Sequence, residues 1–173
     1  MIGDSVTSIG DSAFYNCDSL TSVEISDSVT TIGDWAFYRC TNLTSVYIRD
    51  IGAWCKISFN NYNSNPLRNG ANLYLNNALV TELIIPDAVT EIKANAFWNC
   101  DSLTNVTIGN KVTSIADYAF ASCNGITSIA IPNSVDSIGK YAFEWGYLTS
   151  IIISNSVTSI GEGAFKWCTS LDD

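Results

Sequence analysis

One phrase, Ile-Gly-x-x-Ala-Phe-x-x-Cys, recurs along this chain and limits its fold more than any other feature. It stands at Ile9-Gly10, Ala13-Phe14 and Cys17, and again at Ile32-Gly33, Ala36-Phe37 and Cys40. It returns at Ile92, Ala96-Phe97 and Cys100, and at Ile115, Ala119-Phe120 and Cys123. Two more copies are Ile138-Gly139 with Ala142-Phe143, and Ile160-Gly161 with Ala164-Phe165 and Cys168. Phe14 to Phe37, Phe97 to Phe120 and Phe120 to Phe143 are each 23 residues apart, and Phe143 to Phe165 is 22. In that short step Glu144-Trp145-Gly146-Tyr147 replaces the usual five residues and the cysteine is lost. A fixed period of this length marks an array of stacked units.

A second phrase, Leu-Thr-Ser-Val-x-Ile, accompanies the first, as in Leu20 to Ile25, Leu43 to Ile48 and Leu103 to Ile108. Its last apolar positions alternate, so it reads as a short strand with one buried side. A third phrase, Val-Thr-x-Ile, as in Val6 to Ile9 and Val29 to Ile32, reads as a second short extended segment. From Gly to Cys, one or two helical turns are expected, because Ala13, Phe14 and Cys17 would share a face. Asp11, Asp34 and Asp117 open these turns, where a carboxylate suits free N–H groups. One such unit cannot bury its own apolar side, whereas stacked units turn identical positions into columns. The expected fold is an α/β repeat solenoid. A parallel sheet of about 30 Å forms one face, and short helical turns and short strands form the other.

The organisation expected is a single solenoid over residues 1–173, with regular repeats at 1–48 and 80–173 and both ends cut within repeats. Between them, residues 49–79 form an enlarged, irregular repeat. There Trp54, Ile57 and Phe59 read as core, and Asn76-Asn77 reads as a tight hairpin turn between Leu73-Tyr74-Leu75 and the strand phrase ending at Ile85. The polar loop from Asn60 to Asn72, which includes Asn61, Tyr62 and Asn63, has the better claim to binding.

Composition excludes several functions. Eight Lys and Arg against 17 Asp and Glu leave a net charge of −9, which disfavours nucleic acid and anionic lipid. Apolar runs such as Ile151-Ile152-Ile153 are too short to insert in a membrane. Histidine is absent, and no Ser or Thr has a nearby base to activate it, so no catalytic residue is assigned. Five of the six cysteines share one repeat position and none forms a Cys-x-x-Cys pair. They read as a ladder of free, buried thiols, with no metal site and no cofactor. The column Thr7, Thr30, Thr90, Thr113 and Thr158 is broken at Asp136 and reads as β-propensity rather than an ice-binding array.

The aromatics are more informative. Residues after each Phe read Tyr15, Tyr38, Trp98, Ala121, Glu144 and Lys166. Those before each Ala read Ser12, Trp35, Asn95, Tyr118, Tyr141 and Gly163. If Ala and Phe point inward, many of these point outward, on the edge that also carries Trp145 and Trp167. Either they form a contact surface or they pack over neighbouring rungs; the sequence leaves both open. On the sheet face, Tyr47 and Ile84 are bulky members of an outward column otherwise occupied mostly by small or polar residues. Their strands flank the enlarged repeat, so the expectation is one partner surface made of Tyr47, Ile84 and the 60–72 loop.

These phrases together resemble the BspA-type (Treponema pallidum-type) leucine-rich repeat over essentially the whole chain. Ala53-Trp54-Cys55-Lys56-Ile57-Ser58-Phe59 also resembles an insert of such bacterial proteins. The resemblance implies a leucine-rich repeat solenoid from a long, extracellular or cell-surface protein that binds host matrix, cells or other proteins. It implies no fixed catalytic residues. The function expected is a non-catalytic binding or adhesion module for a protein or glycan, with a structural spacer as the alternative. Its candidate contacts are Tyr47, Ile84, Asn60, Asn61, Tyr62, Asn63, Trp98, Tyr118 and Tyr141. A monomer is expected, with end-to-end association open to the uncapped termini.

Overall fold

The computed structural model describes residues 2–171. The chain winds as a solenoid of short strands: β1 (Ser8–Ile9), β2 (Ser22–Glu24), β3 (Thr31–Ile32) and β4 (Ser45–Ile48). The enlarged rung follows with α1 (Ile51–Cys55), β5 (Ser58–Phe59), a 3-10 turn (Pro66–Asn69), β6 (Asn72–Leu75) and β7 (Ala78–Leu79). Regular rungs resume with β8 (Glu82–Ile84), β9 (Glu91–Ile92), β10 (Asn105–Thr107) and β11 (Ser114–Ile115). The last elements are β12 (Ser128–Ile131), β13 (Ser137–Ile138), β14 (Ser150–Ile153) and β15 (Ser159–Ile160).

Period-two alternation sets the first face. β2, β4 and β6 pair in parallel with Val23 opposite Val46 and Val46 opposite Leu73, all buried, while Ser22 and Glu24 point outward. Beyond the enlarged rung, β8 pairs with β10 and β12 with β14, also in parallel. The second face holds the Val-Thr-x-Ile strands as β1-β3-β5 and β9-β11-β13-β15. Thr hydroxyls brace both faces, because Thr30 Oγ1 donates to Thr7 O at 3.2 Å and Thr104 Oγ1 to Thr81 O at 3.1 Å. The threonine columns are therefore structural.

Between the faces the phenylalanines form stacks, Phe14 on Phe37 at 5.0 Å and Phe97 through Phe120 and Phe143 to Phe165 at 5.2–5.5 Å. Burial of each inner ring contributes roughly 1.5–3 kcal/mol, and stacking adds about 0.5–1.5 kcal/mol. The cysteine column has its own bond. Cys40 Sγ donates to Phe14 O at 3.0 Å, Cys123 Sγ to Phe97 O at 3.0 Å and Cys168 Sγ to Phe143 O at 3.1 Å. A small side chain with one weak donor suits that position, and all six thiols are free.

The Gly-to-Cys segment departs from the expected helical turns. The N–H groups of Ala13, Tyr15 and Cys17 reach back three residues, but those of Ser12, Phe14 and Asn16 donate to Asp34, Ala36 and Tyr38 on the next rung, each at 2.8 Å. Ser12 (φ 56°) and Asn16 (φ 59°) are left-handed, which turns alternate N–H groups along the solenoid axis. A helix satisfies its interior N–H groups internally; here half of them bind the neighbouring rung instead. The aspartates follow suit, since Asp11 Oδ1 accepts the N–H of Asp34 at 2.7 Å rather than capping its own turn.

The enlarged rung interrupts both ladders: one sheet ends at β5 and the other at β7, which turns back antiparallel through Asn76 (φ 49°) and Asn77 (φ 68°). Side chains take over the bonding at this seam. Trp54 Nε1 donates to Ala96 O at 2.9 Å, and Asn65 Nδ2 donates to Asn95 O at 2.6 Å. Asn99 Nδ2 closes the join on Arg68 O at 3.1 Å. One continuous core runs through it, with Trp54, Ile57, Phe59, Leu67 and Leu73 all buried.

Candidate binding surface

The loop from 60 to 71 lies along the turn edge, not beside Tyr47 and Ile84. Asn61 Nδ2 donates to Asp34 Oδ1 at 2.6 Å, Asn69 Nδ2 to Cys40 O at 3.3 Å, and Asn65 to the carbonyls already named. These partners all belong to turn segments, so the loop occupies the place of a turn segment in its own rung. The expected composite of sheet face and loop is corrected accordingly. Asn63 is buried and Asn61 is engaged by Asp34, so only Asn60 and Tyr62 of that group are well exposed. Tyr47 stacks on Tyr74 at 4.9 Å on the sheet face. Ile84 is 68% exposed beside Leu79 and lines a separate apolar notch with Leu75 and Leu79.

The turn edge carries a connected ribbon of rings. Tyr15 contacts Tyr38 at 5.6 Å, and the Arg68 guanidinium lies 4.8 Å from the Tyr38 ring and 5.5 Å from Tyr62. Tyr62 stacks on Trp98 at 5.1 Å, Trp98 meets Tyr118 at 5.3 Å, and Tyr118 stacks on Tyr141 at 5.0 Å. Lys166 then bridges Tyr141 at 5.6 Å and Trp167 at 5.9 Å, and Trp167 stacks on Trp145 at 5.3 Å. Rings at 4.5–7 Å and cations within about 6 Å are attractive contacts. Tyr62, Trp98, Tyr118 and Tyr141 are thus brought together, while Tyr47 and Ile84 stand apart from them.

The ribbon changes column as it advances, which is why single columns of the sequence show it only in pieces. Trp98 follows its Phe, whereas Tyr118 precedes its Ala; the next residue after Phe is Ala121, which is buried and small. Arg68 lies in the irregular rung and had no register to reveal it. Lys166 was visible in its column, but its bridging position depends on the fold.

The turn backbone is left-handed at two positions of each regular rung, and several rings occupy them. Trp35, Tyr118 and Tyr141 sit at φ 55–59°, where Gly163 occupies the equivalent position, and Trp145 and Trp167 sit at φ 62–64°. A non-glycine residue there costs about 1–2 kcal/mol. The cross-rung N–H bonds hold it, as Tyr118 N to Lys140 O at 2.9 Å and Trp145 N to Lys166 O at 3.0 Å show. Tyr141 donates its hydroxyl to Glu162 Oε1 at 3.0 Å, which raises its pKa above the ordinary value. Partial burial, with Glu144, Asp117 and Glu162 nearby, does the same for Tyr118. Both phenols therefore stay neutral to higher pH than an ordinary tyrosine, and that of Tyr141 donates to Glu162.

Clefts open along the ribbon. One of about 510 Å³ lies between Trp98 and the Trp145–Trp167 pair, and one of about 270 Å³ lies among Tyr15, Trp35, Tyr38 and Tyr62. Among the described residues, no three His, Cys, Asp or Glu side chains group as metal ligands, and no helix is long and apolar enough to cross a membrane.

The model of the BspA type leucine rich repeat region matches residues 1–69 and 68–173, in six copies. The chain belongs to the BspA-type leucine-rich repeat family. Among solved structures, this BspA-type chain is similar to a leucine-rich repeat protein from Eubacterium ventriosum ATCC 27560. They share 21% identity over 98% of this chain and 63% of that one, with a TM-score of 0.56. It is also similar to a leucine rich cell surface protein from Faecalibacterium prausnitzii A2-165, at 26% identity over 97% and 64%, with a TM-score of 0.49. A leucine-rich repeat protein from Bacteroides capillosus ATCC 29799 shares 32% identity over 44% and 55%, with a TM-score of 0.41. The BspA-type chain thus spans 55–64% of the length of these proteins. A comparison with curated proteins finds no match. Repeat solenoids of this family are interaction or structural modules, and their extended faces suit either role.

Proposed function

We propose that this chain is a non-catalytic binding module that holds a protein or glycan partner through the aromatic ribbon on its turn edge. The observation that carries this reading is the run of ring and cation contacts from Tyr15 to Trp145, in which Tyr118, Tyr141, Trp145 and Trp167 sit at left-handed positions. Tyr and Trp are the residues that anchor partners, because they bury large area with few rotors and keep a polar tip. The net charge of −9 favours a neutral or basic partner. A place at the cell surface, in an adhesive role, belongs to the same reading and rests on membership of the BspA-type family.

The spacer reading has one observation in its favour: the threonine columns repeat their bonds from rung to rung, as a surface with no partner would. Binding is screened on extracellular-matrix proteins and a glycan array, comparing wild type with a Tyr38→Ser, Tyr118→Ser, Tyr141→Ser variant. The expected result is a partner held about tenfold more weakly by the variant. No partner on either panel, or a partner the variant holds equally well, overturns the ribbon as a binding surface and leaves the spacer.

A further inference from the structure

The ribbon lacks one ring. Trp145 stacks on Trp167 on one side, 5.3 Å away, and both occupy the left-handed position before the cysteine column. On the preceding rung that position is Ser122 (φ 58°), and on the rung before it Asn99 (φ 57°). A hydroxymethyl group cannot cover an indole, so the second face of Trp145 looks into the cleft that reaches to Trp98, and the side chain is 52% exposed. Successive rungs lie about 4.8 Å apart, so one ring-thick guest on Trp145 would sit over Ser122 as the missing member of the stack.

The lining identifies the guest. Among the described residues, those that line the cleft are all uncharged, in a protein of net charge −9. The walls are Trp98, Trp145 and Tyr147, and beside them stand the side chains of Ser122, Asn124 and Thr169. Among the described residues these three polar groups make no side-chain hydrogen bond, and they are free to take a ligand's hydroxyls. A pyranose ring has this two-sided character, with C–H bonds on a face and hydroxyls around its rim. An aromatic side chain from a protein would fill the stack but leave the amide and hydroxyls unmatched, and an anionic sugar would meet a repulsive overall field, with Lys166 at the Trp167 end of the cleft already facing Glu144 at 4.0 Å.

Resting on the binding reading above, we propose that this cleft holds a pyranose of an uncharged glycan, stacked on the open face of Trp145 and hydrogen-bonded by Ser122 and Asn124 of the same rung, with Thr169, two rungs along, open to a further sugar of the chain. The 510 Å³ cleft is lined by residues of four rungs, from Trp98 to Thr169. Three rung spacings, or about 14 Å, give it room for a short stretch of an oligosaccharide chain.

The test titrates the protein with maltohexaose, cellohexaose, mannohexaose and chitohexaose, with a heparin hexasaccharide as the anionic arm, reading tryptophan fluorescence and two-dimensional NMR shifts. The expected result is saturable binding of a neutral hexasaccharide, with indole signals shifted. Two variants should weaken it about tenfold or more. Trp145→Ala removes the platform. Ser122→Trp fills the slot with the residue that the same backbone position already holds at Trp145 and Trp167, so that variant keeps the fold if the first does not. Binding to none of the neutral hexasaccharides, binding to heparin alone, or binding undiminished by Ser122→Trp overturns the proposal. If the matrix screen still finds a protein held by the ribbon, only the glycan assignment falls; if both screens are blank, the binding reading falls with it.

Discussion

Asp117 holds the rung that follows it: its Oδ1 accepts the backbone N–H of Lys140 at 2.7 Å, 23 residues along the chain. That bond leaves no room for a side chain at the residue before Lys140. A Cβ on Gly139 would lie 2.5 Å from Asp117 N and 2.6 Å from Asp117 Oδ1. Gly139→Ala should therefore destabilise by about 1–3 kcal/mol through forced overpacking. Gly10 occupies the same repeat position, but a Cβ there would meet nothing within 4 Å. Gly10→Ala should be neutral or slightly stabilising. Urea midpoints of the two variants make the comparison, and equal losses would show that backbone conformation, not rung contact, selects glycine.

Phe120 is stacked on both sides, by Phe97 at 5.2 Å and Phe143 at 5.5 Å, and is buried. Phe120→Ala should cost roughly 3–5 kcal/mol, because both neighbours lose a face of contact around a cavity that stacked rungs cannot collapse. Phe165 is stacked on one side and only partly buried, so Phe165→Ala should cost less. A loss below about 1 kcal/mol at Phe120 in urea melts contradicts the shared-stack account.

Burial pushes the Cys55 thiol up to about 12, with Asp50 adding to the shift, and burial does the same to Cys100. Cys123 is raised well above its ordinary value by burial as well. The folded pKa lies above the unfolded one, so the protonated thiol favours the folded state. That contribution is complete below the unfolded pKa of 9.0 and is lost as pH rises from there towards 12. Each of Cys55 and Cys100 should then remove on the order of 1 kcal/mol per pH unit in this window. Urea melts between pH 8 and pH 11 should show the decline, and a Cys55→Ala, Cys100→Ala variant should flatten it. A thiol reagent at pH 8 should meet little beyond the half-buried Cys17 in the native protein, and six thiols after denaturation.

Asn65 is fully buried at the seam, where its Nδ2 serves Asn95 O and Ala96 O and its Oδ1 accepts the N–H of Leu67 at 2.8 Å. Asn65→Ala leaves the buried Leu67 N–H without its partner, which costs about 1–3 kcal/mol, while Asn95 O keeps the Trp98 N–H and Ala96 O keeps Trp54 Nε1. The seam also couples two blocks whose strand ladders do not join. The variant should lose about 1–3 kcal/mol, and its urea transition should broaden or split as the blocks unfold separately. A small shift with an unchanged slope would mean that apolar contacts such as Trp54 alone hold the blocks together.

The period, the strand phrases and the inward Phe, Ala and Cys columns were legible from the sequence, because a solenoid asks the same local question of every rung. Alternation placed Val23, Val46 and Leu83 inside, and burial bears this out. Conformation between Gly and Cys was not legible. An i, i+1, i+4 apolar pattern fits a helix as well as a run of turns, and only neighbouring carbonyls such as Ala36 O decide which one satisfies the Phe14 N–H. Nor could the sequence say where the 60–72 loop lies, since Asn61 and Asn65 bond to Asp34 and Asn95, 27 and 30 residues away. The ribbon depended on the same kind of information. Trp98 and Tyr118 belong to different repeat columns, and they meet because Ala121 is too small to fill the place beside Trp98. Local pattern determined which side of each rung is buried; contacts between rungs, at about 4.8 Å spacing and invisible to any window of one repeat, decided which exposed rings share a surface.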